Sequence, residues 1–241
     1  MKNKETIIIS LGGSLVAPGE IDLGFLKNFK HSLQKYFGNK IFFILVGGGK
    51  ICRNYQKALA EFGAKNVDKD WLGIRVSRLN AEVVKQVFAE YSYPKIITDP
   101  TKKVESRRAK SRTAPPVGGT GAWDVAVAGG WKPGWSTDYC SVMLAKNSGV
   151  KTIINLTNID YVYDKDPKQF PDAKAIKEIN WKDFKKIVGD KWTPGLSMPF
   201  DPRASKIAES LKIKVAIING KNLERLEDLL SNKPFIGTII S

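Results

Sequence analysis

The sequence has little of what a disulfide, metal or membrane protein needs. Among 241 residues there are two cysteines, Cys52 and Cys140, and one histidine, His31. The cysteines stand far apart in no CxxC spacing, which excludes a disulfide framework and a cysteine-based zinc site and suits a reducing cytoplasm. Apolar runs are short: residues 41–46 (IFFILV) are among the longest, far below the ~20 residues a helix needs to cross a bilayer. Residues 1–5 are polar and the apolar stretch after them is brief, so no cleavable signal pattern is expected. Acidic residues are in deficit, 24 against 39 Lys plus Arg, for a net charge of +15. That surplus draws anions, whether nucleotides, nucleic acid, acidic lipid or anionic metabolites, without choosing among them. A hydrophobic content of 42% excludes disorder as the dominant state. A chain of this length buries roughly 70–75% of its unfolded surface and folds without covalent staples.

Short apolar runs alternate with amphipathic stretches. Residues 6–11, 41–46, 95–98, 124–128, 151–156, 214–219 and 235–240 read as strands. Residues 22–37, 50–62, 72–91, 136–148, 201–212 and 222–230 read as helices, the first with Leu23, Leu26, Phe29, Leu33 and Phe37 at helical spacing. Strands without clean alternation, separated by helices, imply a sheet covered on both faces. The predicted class is α/β with a mainly parallel sheet. No repeat or long low-complexity linker interrupts it. One basic stretch stands out at 101–113, where Lys102, Lys103, Arg107, Arg108, Lys110 and Arg112 face a single Glu105, a net +5. Gly118 to Gly121 (GGTG) follow it, so an exposed basic loop is expected. It lacks the interleaved aromatics of a base-stacking surface, and a charge run is usually a solvated loop.

Three glycine clusters sit directly after predicted strands: Gly12-Gly13-Ser14, Gly47-Gly48-Gly49-Lys50, and Gly129-Gly130 continuing into WKPGWSTD. In open α/β sheets ligands bind at the carboxyl ends of strands. Glycine lets the backbone approach a phosphate, and a following helix offers it N–H groups. None of the clusters has the GxxxxGK[ST] or GxGxxG spacing, so a P-loop or Rossmann reading fails. Lys50 and Arg53 share a helix face beside the triple glycine. Either is a surface cation or a phosphate ligand, and the forked guanidinium of Arg53 suits the second role.

These residues resemble a known family. GGS at 12–14, GGGKICR at 47–53, KDWLGI at 69–74, GGWKPGWSTD at 129–138, TNIDYVYDKDP at 157–167 and PFDPRASKIAESL at 199–211 occur in order. Together they resemble the amino acid kinase superfamily, and most its archaeal-type uridylate kinases, over nearly the whole chain. The resemblance implies a three-layer α/β/α sandwich, transfer of the ATP γ-phosphate to UMP, a need for Mg²⁺, and a homohexamer in the cytoplasm serving pyrimidine biosynthesis. It implies one domain over 1–241, with the acceptor bound by roughly 1–150 and ATP by roughly 151–241. By position, Gly48 meets the UMP phosphate, Asp70 the ribose, and Trp131, Lys132, Pro133, Gly134, Trp135, Ser136 and Thr137 the uridine. Gly13, Ser14, Gly49 and Arg53 surround the donor phosphates, and Thr157, Asn158, Tyr163 and Asp166 form the rest of the ATP site. Arg53, Asp138 and Lys206 carry the catalytic roles, Asp138 by organising cations and Lys206 by reaching the donor phosphates. Mg²⁺ is expected on the phosphates, with no protein cage.

Each position has a plainer reading beside it: Asp138 as a helix N-cap, Asp166 as a turn residue before Pro167, Tyr163 as core, Lys206 and His31 as surface. The chain departs from the pattern at Ser10, where many relatives have lysine, at Trp131 and Trp135, where they have Thr and His, and at Tyr161, where they have glycine. The two indoles either stack on the base or wall the pocket. The other readings are a phosphotransferase of the same fold acting on a carboxylate, carbamate or isoprenoid phosphate, and a non-catalytic protein that binds anions or nucleic acid through the basic stretch.

Overall fold

Alternate residues of each central strand point to opposite sides, and on this sheet both sides are apolar. The computed structural model describes residues 4–104, 123–167, 169–189 and 198–241. A seven-stranded sheet runs in the order β3-β2-β1-β4-β8-β9-β7. Its strands are β1 (Glu5–Leu11), β2 (Lys40–Val46), β3 (Val125–Ala128), β4 (Thr152–Thr157), β7 (Glu178–Ile179), β8 (Lys214–Asn219) and β9 (Thr238–Ile240). A small hairpin of β5 (Val162–Tyr163) and β6 (Ala175–Ile176) stands apart from it. Pairing is parallel from β3 through β8 and antiparallel only between β8 and β9. The residues 95–98 read as a strand make only an isolated bridge, Ile97 to Ala128, since Pro94 and the turn after Asp99 leave too little chain for a ladder.

Helices cover both faces. On one side Ile7, Ile9, Phe42 and Ile44 pack with α2 (Leu23–Gln34), α4 (Asn66–Phe88) and α8 (Leu223–Leu230). On the other, Ile8, Phe43, Leu45 and Ile153 pack with α5 (Thr137–Ser148), α6 (Trp181–Val188) and α7 (Pro202–Ser210). The result is the expected three-layer sandwich. Two helices start within the first two glycine clusters, the single turn α1 (Gly13–Val16) and the longer α3 (Gly49–Glu61). Helix α4 begins six residues before the predicted start at 72, which brings Asp70 onto the helix. Between β1 and β4 the strand order reverses, and the ends of these strands open a crevice at the carboxyl edge of the sheet. Residues 105–113 and 118–121, most of the basic stretch and its glycines, lie outside the described residues.

The anchor of α4 is aromatic. Phe88 is fully buried, with its ring edge-on to Phe29 at 6.0 Å and tilted on Phe37 at 6.4 Å. Phe88→Ala is expected to lose about 3–5 kcal/mol of unfolding free energy in urea titration. A loss below ~1 kcal/mol would contradict this anchor.

Candidate active site

Two of the three glycine turns meet at the carboxyl edge with no space between their backbones. A Cβ placed on Gly13 would overlap the Gly47 carbonyl and the Gly49 amide. Gly49 itself has φ +69, a conformation L side chains rarely adopt. The two turns therefore interlock only as glycine. A cleft of about 310 Å³ opens over them, and its lining includes Gly13, Ser14, Gly48, Gly49, Arg53 and Asp70. Lys132, Trp135, Ser136, Thr137 and Asp138 line it from the loop after β3, and Thr157 and Asn158 from the end of β4. Arg53 is exposed on α3, and its Nη2 donates to Ser14 Oγ at 3.0 Å, so the two glycine turns share one guanidinium.

The third turn is held by α4. Ser77 Oγ accepts the Gly130 N–H at 2.9 Å and donates to the Ile74 carbonyl at 2.8 Å. Arg78 donates through Nε to the Gly130 carbonyl at 2.9 Å and through Nη2 to the Trp131 carbonyl at 3.0 Å. Asn80 Nδ2 donates to the Gly47 and Gly48 carbonyls at 2.9 and 3.3 Å. Asp70 Oδ2 accepts the Gly134 N–H at 2.7 Å, and Arg203 of α7 donates to the Gly134 carbonyl. Sequence reading missed Ser77, Arg78, Asn80 and Arg203. Ser77 and Asn80 did leave a signal: two polar residues, each 3% exposed, on the helix face that also carries Ile74, Ala81 and Val84.

Asp138 sits in the first turn of α5, but it is not the cap. Ser136 Oγ caps the helix by accepting the Tyr139 N–H at 3.1 Å. That leaves the Asp138 carboxyl to the cleft, where Oδ1 accepts from Ser10 Oγ at 3.2 Å and Oδ2 from the Asp201 N–H at 3.1 Å. Burial, followed by the negative charge of Asp201, pushes this carboxyl up to about 7. Two hydrogen bonds pull the other way and lose. Asp201 is 5% exposed and caps α7 through Oδ1, which accepts the N–H groups of Arg203 and Ala204. Its buried Oδ2 has no hydrogen-bond partner among the described residues. Cys52 lines the cleft as well, but burial raises its thiol against the opposing pull of Arg53, so it is no ready thiolate nucleophile.

The indoles wall the site. Trp131 and Trp135 meet edge to face at 4.4 Å, and Trp135 meets Tyr139 at 4.1 Å. Trp135 lines the cleft and Trp131 stands behind it. Trp131, Pro133, Gly134, Tyr163, Asp166 and Lys206 are not among the lining residues. Lys206 is exposed on α7, and Lys50 and His31 are also exposed. Asp166 serves a turn: its carbonyl accepts the Gln169 and Phe170 N–H groups. Tyr163 lies half-buried on β5, edge-on to Tyr161 at 6.5 Å. No group of three His, Cys, Asp or Glu is placed to hold a metal among the described residues, and no described helix is long and apolar enough to cross a membrane.

Residues 5–219 match the amino acid kinase family. A uridylate kinase of Pyrococcus abyssi is 32% identical over 228 residues, covering 94% of this chain and 96% of its own length. One of Methanospirillum hungatei is 31% identical over 237 residues, covering 98% and 94%. The crystal structure of a uridylate kinase from Archaeoglobus fulgidus superposes with a TM-score of 0.76 at 28% identity, over 98% of this chain and 99% of that one.

The raised Asp138 carboxyl fixes a pH dependence. Ordinarily an aspartate ionises near 3.8, so the folded protein takes up this proton before the unfolded chain does. Stability from this group is therefore gained as pH falls through 7 towards 4, and is absent above 7. Asp138→Asn removes the buried charge and can still accept from the Asp201 N–H. It is expected to raise Tm at pH 8 by about 2–4 °C, the shift that ~1 kcal/mol gives in a domain of this size, and to raise it by clearly less at pH 5, where the folded protein already holds the proton. Thermal melts at the two pH values check this; equal shifts at both would contradict it.

Proposed function

The chain belongs to the amino acid kinase family, and within it we propose a nucleoside monophosphate kinase that transfers the ATP γ-phosphate to UMP, giving UDP and ADP. One observation carries the reading: three glycine turns and Arg53 open onto a single cleft at the carboxyl edge of the sheet, beside the point where strand order reverses. Two polyanions must be brought together there. The protein's task in phosphoryl transfer is positioning and charge neutralisation, and the cleft supplies backbone N–H groups, a guanidinium and a strongly positive molecule around them.

In this reading Gly48 and its neighbours hold the UMP phosphate, Asp70 holds the ribose, and the loop from Trp131 to Thr137 holds uridine. Gly13, Ser14, Gly49 and Arg53 hold the donor phosphates. Thr157 and Asn158 begin the adenosine side, which continues past the cleft to Tyr163 and Asp166. Residues 1–150 are thus mainly acceptor-binding and 151–241 ATP-binding. The ribose diol must compete with the Gly134 N–H for Asp70, so acceptor binding and the β3–α5 loop are coupled. Lys206 reaches the donor phosphates from α7 once the nucleotide is bound. No general base is required, because the acceptor oxygen is already anionic.

The donor set fits Mg²⁺ held by nucleotide phosphates and water. Asp138 and the unpartnered Oδ2 of Asp201 are the acid oxygens nearby, and they do not form a cage. When bound, the ion neutralises charge on the transferring phosphoryl group. A homohexamer in the cytoplasm, acting in pyrimidine nucleotide synthesis, completes the proposal. The free, buried thiols of Cys52 and Cys140 suit a reducing compartment.

A coupled ADP-release assay across UMP, CMP, carbamate, a carboxylate and an isoprenoid phosphate tests the activity. UMP is expected to be the productive acceptor, and Arg53→Gln to lower kcat/KM by at least ~10-fold, as loss of a charged hydrogen bond does. Turnover of another acceptor with none of UMP would overturn the reading.

A further inference from the structure

Residues 157–163 leave the main sheet at the end of β4 and reach the short β5 through bends alone. They carry Thr157 and Asn158, which line the cleft, and Tyr163 beyond it. Among the described residues β5 pairs with β6 and with no strand of the main sheet. Side chains and turns from the last quarter of the chain hold the segment instead. The Thr157 carbonyl accepts the Gly220 N–H at 2.8 Å. Asp160 Oδ1 accepts from Asn219 Nδ2 at 2.9 Å and from Nη1 of Arg225, which reaches over from α8. Thr238 of β9 is fully buried, and its Oγ1 accepts the Val162 N–H at 2.8 Å while donating to the Ile176 carbonyl of β6. Ile159 and Val162 turn inward to the core, so the segment is fixed from behind.

These polar ties are specific. Arg225 is half-buried, and its buried Nε has no hydrogen-bond partner among the described residues, so the guanidinium has given up water to meet Asp160. The Arg225 bond first, and the Asn219 bond second, hold the Asp160 carboxyl below its ordinary range, which keeps the pair charged at neutral pH. Neither Arg225 nor Thr238 lines the cleft. We infer that Arg225 and Thr238 are positioning residues for the donor nucleotide: they fix residues 157–163 against β8, β9 and α8 and so set the affinity for ATP without touching it. A loop that must be ordered on binding binds more weakly than one already in place. The turns after β2 and β3 are held by a separate set of bonds from α4, so the two sides of the cleft can be loosened independently. The inference rests on the kinase reading, which gives this side of the cleft to ATP, and deepens it by naming what holds that side.

Steady-state kinetics and calorimetric titration with ATP alone test it. Arg225→Met keeps most of the stem and removes the ion pair; Thr238→Val keeps the shape and removes the hydroxyl. Each is expected to raise KM and the dissociation constant for ATP about fivefold to tenfold, the size of one lost hydrogen bond. KM for UMP, and kcat at saturating ATP, are expected to stay within about twofold, as for sites that share no partners. Thr238→Ser restores the hydroxyl and is expected to bring KM for ATP back towards the wild-type value. Circular dichroism checks the fold of each variant, and if Thr238→Val does not fold, Arg225→Met decides. Unchanged ATP constants in folded variants, or KM values that rise equally for ATP and UMP, overturn the inference and leave the kinase reading standing. A wild-type protein that binds ATP but phosphorylates no UMP overturns the acceptor assignment, while weaker ATP binding by the variants still supports the inference. A wild-type protein that binds no ATP overturns both.

Discussion

Everything at the cleft depends on two peptide turns lying against one another with no side chains between them, and on a third turn packed on α4. Gly13 fits against Gly47 and Gly49 only because none has a Cβ. This approach brings the carboxyl ends of β1 and β2 to a common floor. Helix α4 then fixes what the floor faces. Asn80 holds the carbonyls of the second turn, Ser77 and Arg78 hold both the N–H and C=O of the third, and Asp70 holds Gly134. Bound from behind by the helix in this way, the second and third turns are held in place against the cleft. Phe88, at the far end of the same helix, ties this arrangement to the apolar core.

Charge is distributed unevenly around that floor. The protein carries +15 overall, yet the centre of the cleft holds a carboxyl pair, Asp138 and Asp201. Ser10 provides only a hydroxyl to Asp138, and a hydroxyl cannot offset the cost of burying a carboxylate near another one. The elevated Asp138 is the consequence. It leaves a buried carboxyl at the cleft whose ionisation costs stability at neutral pH.

Much of this was legible in the sequence because it depends on short-range chemistry. The long strands announce themselves as buried runs such as IFFILV, and the glycine turns follow them at once. Arg53 was legible from its spacing after the triple glycine. Elements set by few residues were not. β5, β6 and β7 have two residues each, too few to show a period. Helix α6 was overlooked although Asn180 caps it and Trp181, Phe184 and Val188 lie on one buried face. The start of α4 and the choice of Ser136 over Asp138 as the α5 cap turned on single residues. The supports from Arg78 and Arg203 were invisible because each joins segments distant in the chain, and a hydrogen bond of that kind leaves no local pattern. Of Trp131 and Trp135, only Trp135 lines the cleft.

The central claim is that one cleft holds two nucleotides with their phosphates tail to tail. Calorimetric titration with a single molecule that joins uridine and adenosine through a chain of 5′-phosphates tests this most directly. The account predicts one such molecule bound per chain, competing with both ATP and UMP. Competition with only one of the two, or two molecules bound per chain, would contradict it.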